Sequence, residues 1–216
     1  MAIKPILFNT EMVRAILYGR KTCTRRICKD ANECTVPDMD FYNADKRTYA
    51  VHNFADKKHT EQLSIAERTC PICPGDILYV RETWCALPVN EAGHMRGHSV
   101  YYYKSDGDLR PEGWRGNWHP SIHMPKEAAR IWLKVTDVRA ERLQEISGED
   151  LIKEGIEFFR SNYVRVAFDE FKNIWNSTIK KSDIDRYGWD ANPWVWIIEF
   201  EWCEKPKEES EETQHE

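Results

Sequence analysis

Residues 19–26 read Gly-Arg-Lys-Thr-Cys-Thr-Arg-Arg, a stretch dense in groups that can do chemistry. Lys21 and Thr24 lie three positions apart, a spacing that lets them meet across a turn. A threonine hydroxyl is a poor nucleophile until a base takes its proton. A lysine can be that base when burial or a cationic neighbour favours its neutral form, and Arg20, Arg25 and Arg26 supply such a neighbourhood. The same cations would hold a phosphate or an oxyanion. A third group must orient the lysine or relay a proton, and Glu82 is the candidate. The competing reading of the stretch is a basic turn on a solvated face.

Periodicity gives the elements that must position these groups. Thr10 is a candidate cap for a helix over residues 11–18, with Met12, Val13, Ile16 and Leu17 as its apolar stripe and Gly19 as its stop. After Pro74-Gly75-Asp76, residues 77–84 form a β-candidate that carries Glu82. Residues 100–104, 129–138 and 194–202 read as further strands, with Ile131, Leu133, Val135 and Asp137 on one side of the third. Ser147 and Asp150 make a capping box for a helix that ends at Gly155, and residues 163–178 are apolar at helical spacing. Residues 29–69 have few aliphatics and read as an irregular insertion, with a short strand near Thr48–Phe54. This order of short strands and interposed helices predicts an α+β fold around a small barrel or curled sheet, in a single domain over residues 1–203.

Composition bounds the function. The net charge is -5, but residues 1–30 hold seven Lys or Arg against two acidic residues. Residues 204–216 hold two against six and read as a solvated, disordered acidic tail. An anionic ligand is therefore compatible with the body of the chain, whereas bulk coating of long duplexes is not expected. No apolar run approaches the roughly 18 residues that would span a bilayer. No leader is apparent at the start, so a cytoplasmic protein with reduced thiols is expected.

Several other residues are candidates. Trp84 and Trp194, among nine tryptophans, could stack a base, with packing as the competing role. His123 reads as a hydrogen-bonder lining a cleft. Asn192 lies in a turn whose side chains cap backbone groups, with ligand contact as an alternative. No cofactor is expected. A structural zinc on Cys28, Cys34, Cys70 and Cys73 is the alternative, because Cys70-Pro71-Ile72-Cys73 is a knuckle and four thiolates would fasten a core-poor insertion.

The blocks also resemble a known family. Gly19–Arg26 looks like the GxKxxTxR signature of ASCH domains, which belong to the PUA-like β-barrel superfamily. Residues 74–84 resemble the family's second block. Trp118–Pro125, Ala129–Ile131 and Trp189–Trp196 are similar to the longer phage and prophage ASCH-like proteins. This resemblance implies a partly open barrel with a cleft. Small bacterial members are N4-acetylcytidine amidohydrolases, and by that likeness Thr24 would attack the acetyl carbonyl. Lys21 would be the base, Glu82 would hold Lys21 or relay the proton, and Arg26 would position the ligand. The implied partner is a modified nucleoside or single-stranded RNA. Other ASCH proteins are regarded as RNA binders or ribonucleases, so a non-catalytic RNA reader and a ribonuclease are the alternatives.

Overall fold

The computed structural model describes residues 1–31, 33–88, 99–110, 116–156 and 164–207. These contain ten strands: β1 (Ile3–Leu7), β2 (Cys23–Ile27), β3 (Thr35–Asn43), β4 (Thr48–Phe54), β5 (Gln62–Thr69), β6 (Ile77–Arg81), β7 (Trp84–Pro88), β8 (Ser99–Tyr103), β9 (Trp132–Arg142) and β10 (Trp194–Trp202). Five of them form the main sheet in the order β1-β6-β9-β10-β2. Only β1 and β6 run parallel in it; the other neighbours are antiparallel.

The sheet is buried on both faces, which explains the nearly continuous apolar run of β10. Trp196, Ile198 and Phe200 face one layer, with Phe8, Val13, Ile16, Leu78 and Leu133. That layer is closed by helix α1 (Thr10–Leu17) and by Tyr49 and Val51 of β4. Val195 and Ile197 face the other layer, with Leu151 of α2 (Gly148–Lys153) and Phe171 and Trp175 of α3 (Val164–Thr178). The fold is therefore mixed α+β, as the order of elements predicts. No helix among the described residues is long and apolar enough to cross a membrane.

Four local expectations change. The cap of α1 is Asn9, whose side-chain oxygen accepts the Met12 N–H at 2.8 Å, one residue before Thr10. The strand expected over residues 77–84 breaks after Arg81, because the chain leaves the sheet to bury Glu82 and re-forms as β7. In β9 a bulge opposite Glu199/Phe200 shifts the alternation, so Val138 rather than Asp137 faces the first core layer. Residues 35–69 are not irregular but an antiparallel meander, β3-β4-β5. Its inner contacts come from β4 and from Met39 and Tyr42 of β3, while β5 is exposed along nearly its whole length. Of the expected acidic tail, residues 208–216 lie outside the described residues.

Candidate functional site

Helix α1 ends in a left-handed cap that delivers the site. Gly19 has φ +70°. Its N–H reaches the Ile16 carbonyl at 2.9 Å, and the Arg20 N–H reaches that of Ala15 at 2.8 Å. This pair of bonds is the Schellman closure, which favours glycine at the positive-φ position. The next residue, Lys21, is already extended and forms a β-bridge with Glu154. The Thr22 N–H donates to the Lys153 carbonyl at 2.8 Å, and β2 begins at Cys23. The turn expected between Lys21 and Thr24 is therefore a strand edge, with the turn itself at residues 18–20.

Glu154 is the central acid here, and the sequence reasoning missed it. Its carboxylate pairs through Oε2 with Lys21 Nζ and through Oε1 with Arg25 Nη1 at 3.1 Å. Lys21 Nζ also donates to the Glu154 carbonyl at 3.1 Å. All three side chains are almost fully buried, and Asp150 Oδ2 lies 3.3 Å from Arg25 Nη2. Two buried cations thus face two acids, the balance that a buried ionic network requires. Gly155 makes the approach of α2 feasible. It has φ +91°, and a Cβ there would lie 2.9 Å from the Ala15 Cβ and 3.2 Å from the Lys21 Cβ. One signal could have revealed Glu154: an acid in the last turn of a helix sits at the negative end of the dipole, so it needs a cation from elsewhere.

Lys21, Thr24, Arg25, Arg26 and Glu154 line one cavity of about 400 Å³, and α3 supplies an apolar wall that includes Phe171 and Trp175. This volume suits a nucleoside-sized ligand. Arg26 Nη2 donates to the Leu7 carbonyl at 2.7 Å and its guanidinium lies 5.2 Å from the Phe8 ring. Burial pulls its pKa down from the ordinary value, against the opposing effect of Glu154. Burial, with Glu154 adding to it, pushes the Cys23 thiol up to about 12, so Cys23 is no thiolate rival to Thr24.

Glu82 does not make the contact expected of it. It is buried against Arg130, whose Nε lies 3.0 Å from Oε1, and it accepts the Ser105 hydroxyl. Arg130 also grips Asp106 at 2.7 Å and lies over the Tyr103 ring at 4.0 Å. Arg14 of α1 donates to the Ser105 carbonyl at 2.8 Å. Glu82 therefore anchors the 104–106 turn between α1 and β9, and the carboxylate at Lys21 comes from α2.

The remaining candidates sit apart from the residues that line this cavity. Trp84 packs on Tyr101 and His119, at centroid distances of 5.8 and 5.2 Å. Trp194 carries the Arg142 guanidinium at 4.6 Å. His123 is exposed in a 3-10 turn. Asn192, at φ 45°, uses its side chain to accept the Gln144 N–H at 2.8 Å, the turn-capping role. Cys70 and Cys73 bond to nearby carbonyls within their own loop, and Cys28 lies beside Tyr49. Among the described residues no group of three or more His, Cys, Asp or Glu is placed to hold a metal ion.

No family model matches the sequence, and no curated protein matches it. A search of solved structures finds a likeness to the ASCH domain from Lactobacillus crispatus JV V101. That likeness has 10% identity and a TM-score of 0.37, covering 93% of this chain and 79% of the other.

Proposed function

We propose that this chain is an ASCH-type protein of the PUA-like superfamily whose cavity deacylates an N-acylated nucleoside such as N4-acetylcytidine. The GxKxxTxR stretch and the second block at residues 74–84 support the family. One observation carries the activity: Lys21 and Thr24 line the same cavity, and a buried carboxylate, Glu154, is bonded to Lys21.

In this reading Glu154 takes the role first assigned to Glu82. Glu154 holds Lys21 in place, and Lys21 in its neutral amine form is the base for Thr24. Thr24 Oγ gives its proton to Lys21 and bonds to the acyl carbon, and the carbonyl π pair moves to oxygen. The C–N bond then breaks as the leaving nitrogen takes the proton from Lys21. Water, activated by the same pair, hydrolyses the acyl-threonine to a carboxylic acid and restores Thr24. Incubation of the protein with N4-acetylcytidine, followed by chromatography, should yield cytidine and acetate in equal amounts. Absence of cytidine would overturn the hydrolase reading.

A non-catalytic RNA-binding role is the second reading. Its support is Arg26, a cation with no carboxylate partner among the described residues that lines this cavity and a second one of about 330 Å³. Under that role Thr24→Ala would bind RNA as the wild type does.

A further inference from the structure

We propose that the second cavity holds a neighbouring nucleotide, so that the ligand is an acylated residue within an RNA strand and not a free nucleoside; this rests on reading the first cavity as a nucleoside site. The two cavities, of about 400 and 330 Å³, have one lining residue in common, Arg26. Arg26 is half-buried and spends Nη2 on the Leu7 carbonyl. Its Nε and Nη1 make no bond among the described residues, and they are not sealed off. The buried, unbonded side-chain nitrogens there belong to Arg25, Arg81, Trp84 and Trp194. A ligand therefore reaches the Arg26 guanidinium from either cavity.

Strand pairing puts Thr24 on the side of the second cavity. Thr24 and Arg26 are in register with Ile198 and Trp196 of β10, and paired residues of antiparallel strands share a face. Ile198 and Trp196 both line the second cavity. Ile27, Pro71 and Ile72 complete its apolar lining, and Lys4 of β1 ties that loop down by donating to the Pro71 carbonyl at 2.7 Å. Such a lining receives a base, and its volume lies within the range of small-ligand cavities. Lys29 also lines it, exposed and without an ion pair among the described residues. Asp30 is the acid of the lining, and its carboxylate accepts the Tyr49 hydroxyl at 3.3 Å. Two consecutive nucleotides are two rings joined through one phosphodiester anion. Two cavities joined through one guanidinium match that order of ring, charge and ring.

Two probes with the same acylated base separate this site from simple charge attraction. One is N4-acetylcytidine 3′,5′-bisphosphate; the other is a ribotrinucleotide with N4-acetylcytidine between two uridines. The trinucleotide should have a KM about tenfold or more below that of the bisphosphate, the worth of one placed base. Equal KM values would overturn the proposal, because phosphate charge alone then accounts for any gain over the nucleoside. Ile72→Trp fills the second cavity and should bring the two KM values within about twofold of each other. Ile72→Ala is the milder variant, and it should cut the trinucleotide's advantage by about threefold through lost apolar contact. An undiminished advantage in a folded Ile72 variant overturns the assignment of the second cavity. If the wild-type protein releases no cytidine from either probe, the hydrolase reading fails on its own. Dissociation constants for the unacylated trinucleotide and for cytidine 3′,5′-bisphosphate then decide the second site. Tighter binding of the trinucleotide sustains it, and equal binding overturns it.

Discussion

A lysine, an arginine and a glutamate buried against one another form a unit in which no member is neutral to remove. Glu154→Ala would leave Lys21 and Arg25 facing only Asp150, at a cost of about 3 kcal/mol in stability measured by urea unfolding. Glu154→Gln keeps the shape, so most of its loss should fall on turnover. Thr24 carries no charge and is buried in the edge strand β2, in register with Ile198 of β10. Thr24→Ala should therefore fold like the wild type while kcat drops roughly a thousandfold or more. Glu82→Gln gives the contrasting result: it weakens the Arg130 and Ser105 anchor, so it should lower the melting temperature while its kcat stays well above that of Glu154→Gln.

The elements place this unit through two glycines with positive φ. Gly19 ends α1 and Gly155 ends α2, so each helix stops where its chain must touch the other. Gly155→Ala forces a methyl group against Ala15 and Lys21 and adds backbone strain. It should cost about 1–3 kcal/mol and raise KM by displacing the Lys21 backbone, as read from thermal melts and steady-state kinetics. Helices α1 and α3 were legible because one face of each is apolar at the helical period, and strands β6, β9 and β10 because they are rich in β-branched and aromatic residues. The Ser147–Asp150 capping box stands as read. Of the meander, β4 was legible as the strand near Thr48–Phe54, but β5 was not, because it buries almost nothing and exists through its ladder to β4. Leu63 and Ile65, its apolar side chains, are 63% and 60% exposed, so burial leaves no pattern to read. Lys21 and Thr24 could be read from a local motif. Glu154 was harder to read: an acid at the end of α2 signals only that a cation is needed, and that cation lies more than a hundred residues earlier in the chain.

At the scale of the whole molecule, Asp76 ties the meander to the main sheet. Its carboxylate accepts from the Ala2 N–H at 2.9 Å and from Arg47 at 2.6 Å, and pairs with Lys4 at 3.2 Å. Burial would raise its pKa, but these bonds and the Cys73 N–H overcome that and hold it at about 2, below its ordinary 3.8. A depressed folded pKa means stability that is present above pH 4 and lost as pH falls towards 2. Urea unfolding should show about 1–2 kcal/mol lost in that window. Asp76→Asn should flatten this dependence and be less stable at pH 7; a wild-type slope in the variant would remove Asp76 as its cause. The same topology sets an order of assembly. Strand β2 carries Thr24, and its ladder partner is β10, where Thr24 faces Ile198 and Cys23 faces Glu199. Such distant segments pay a large chain-closure entropy before any contact rewards them. The sheet edge that carries Thr24 should therefore be among the last parts of the protein to form. During synthesis, the strand that carries Thr24 has no ladder partner in the sheet until β10 has left the ribosome.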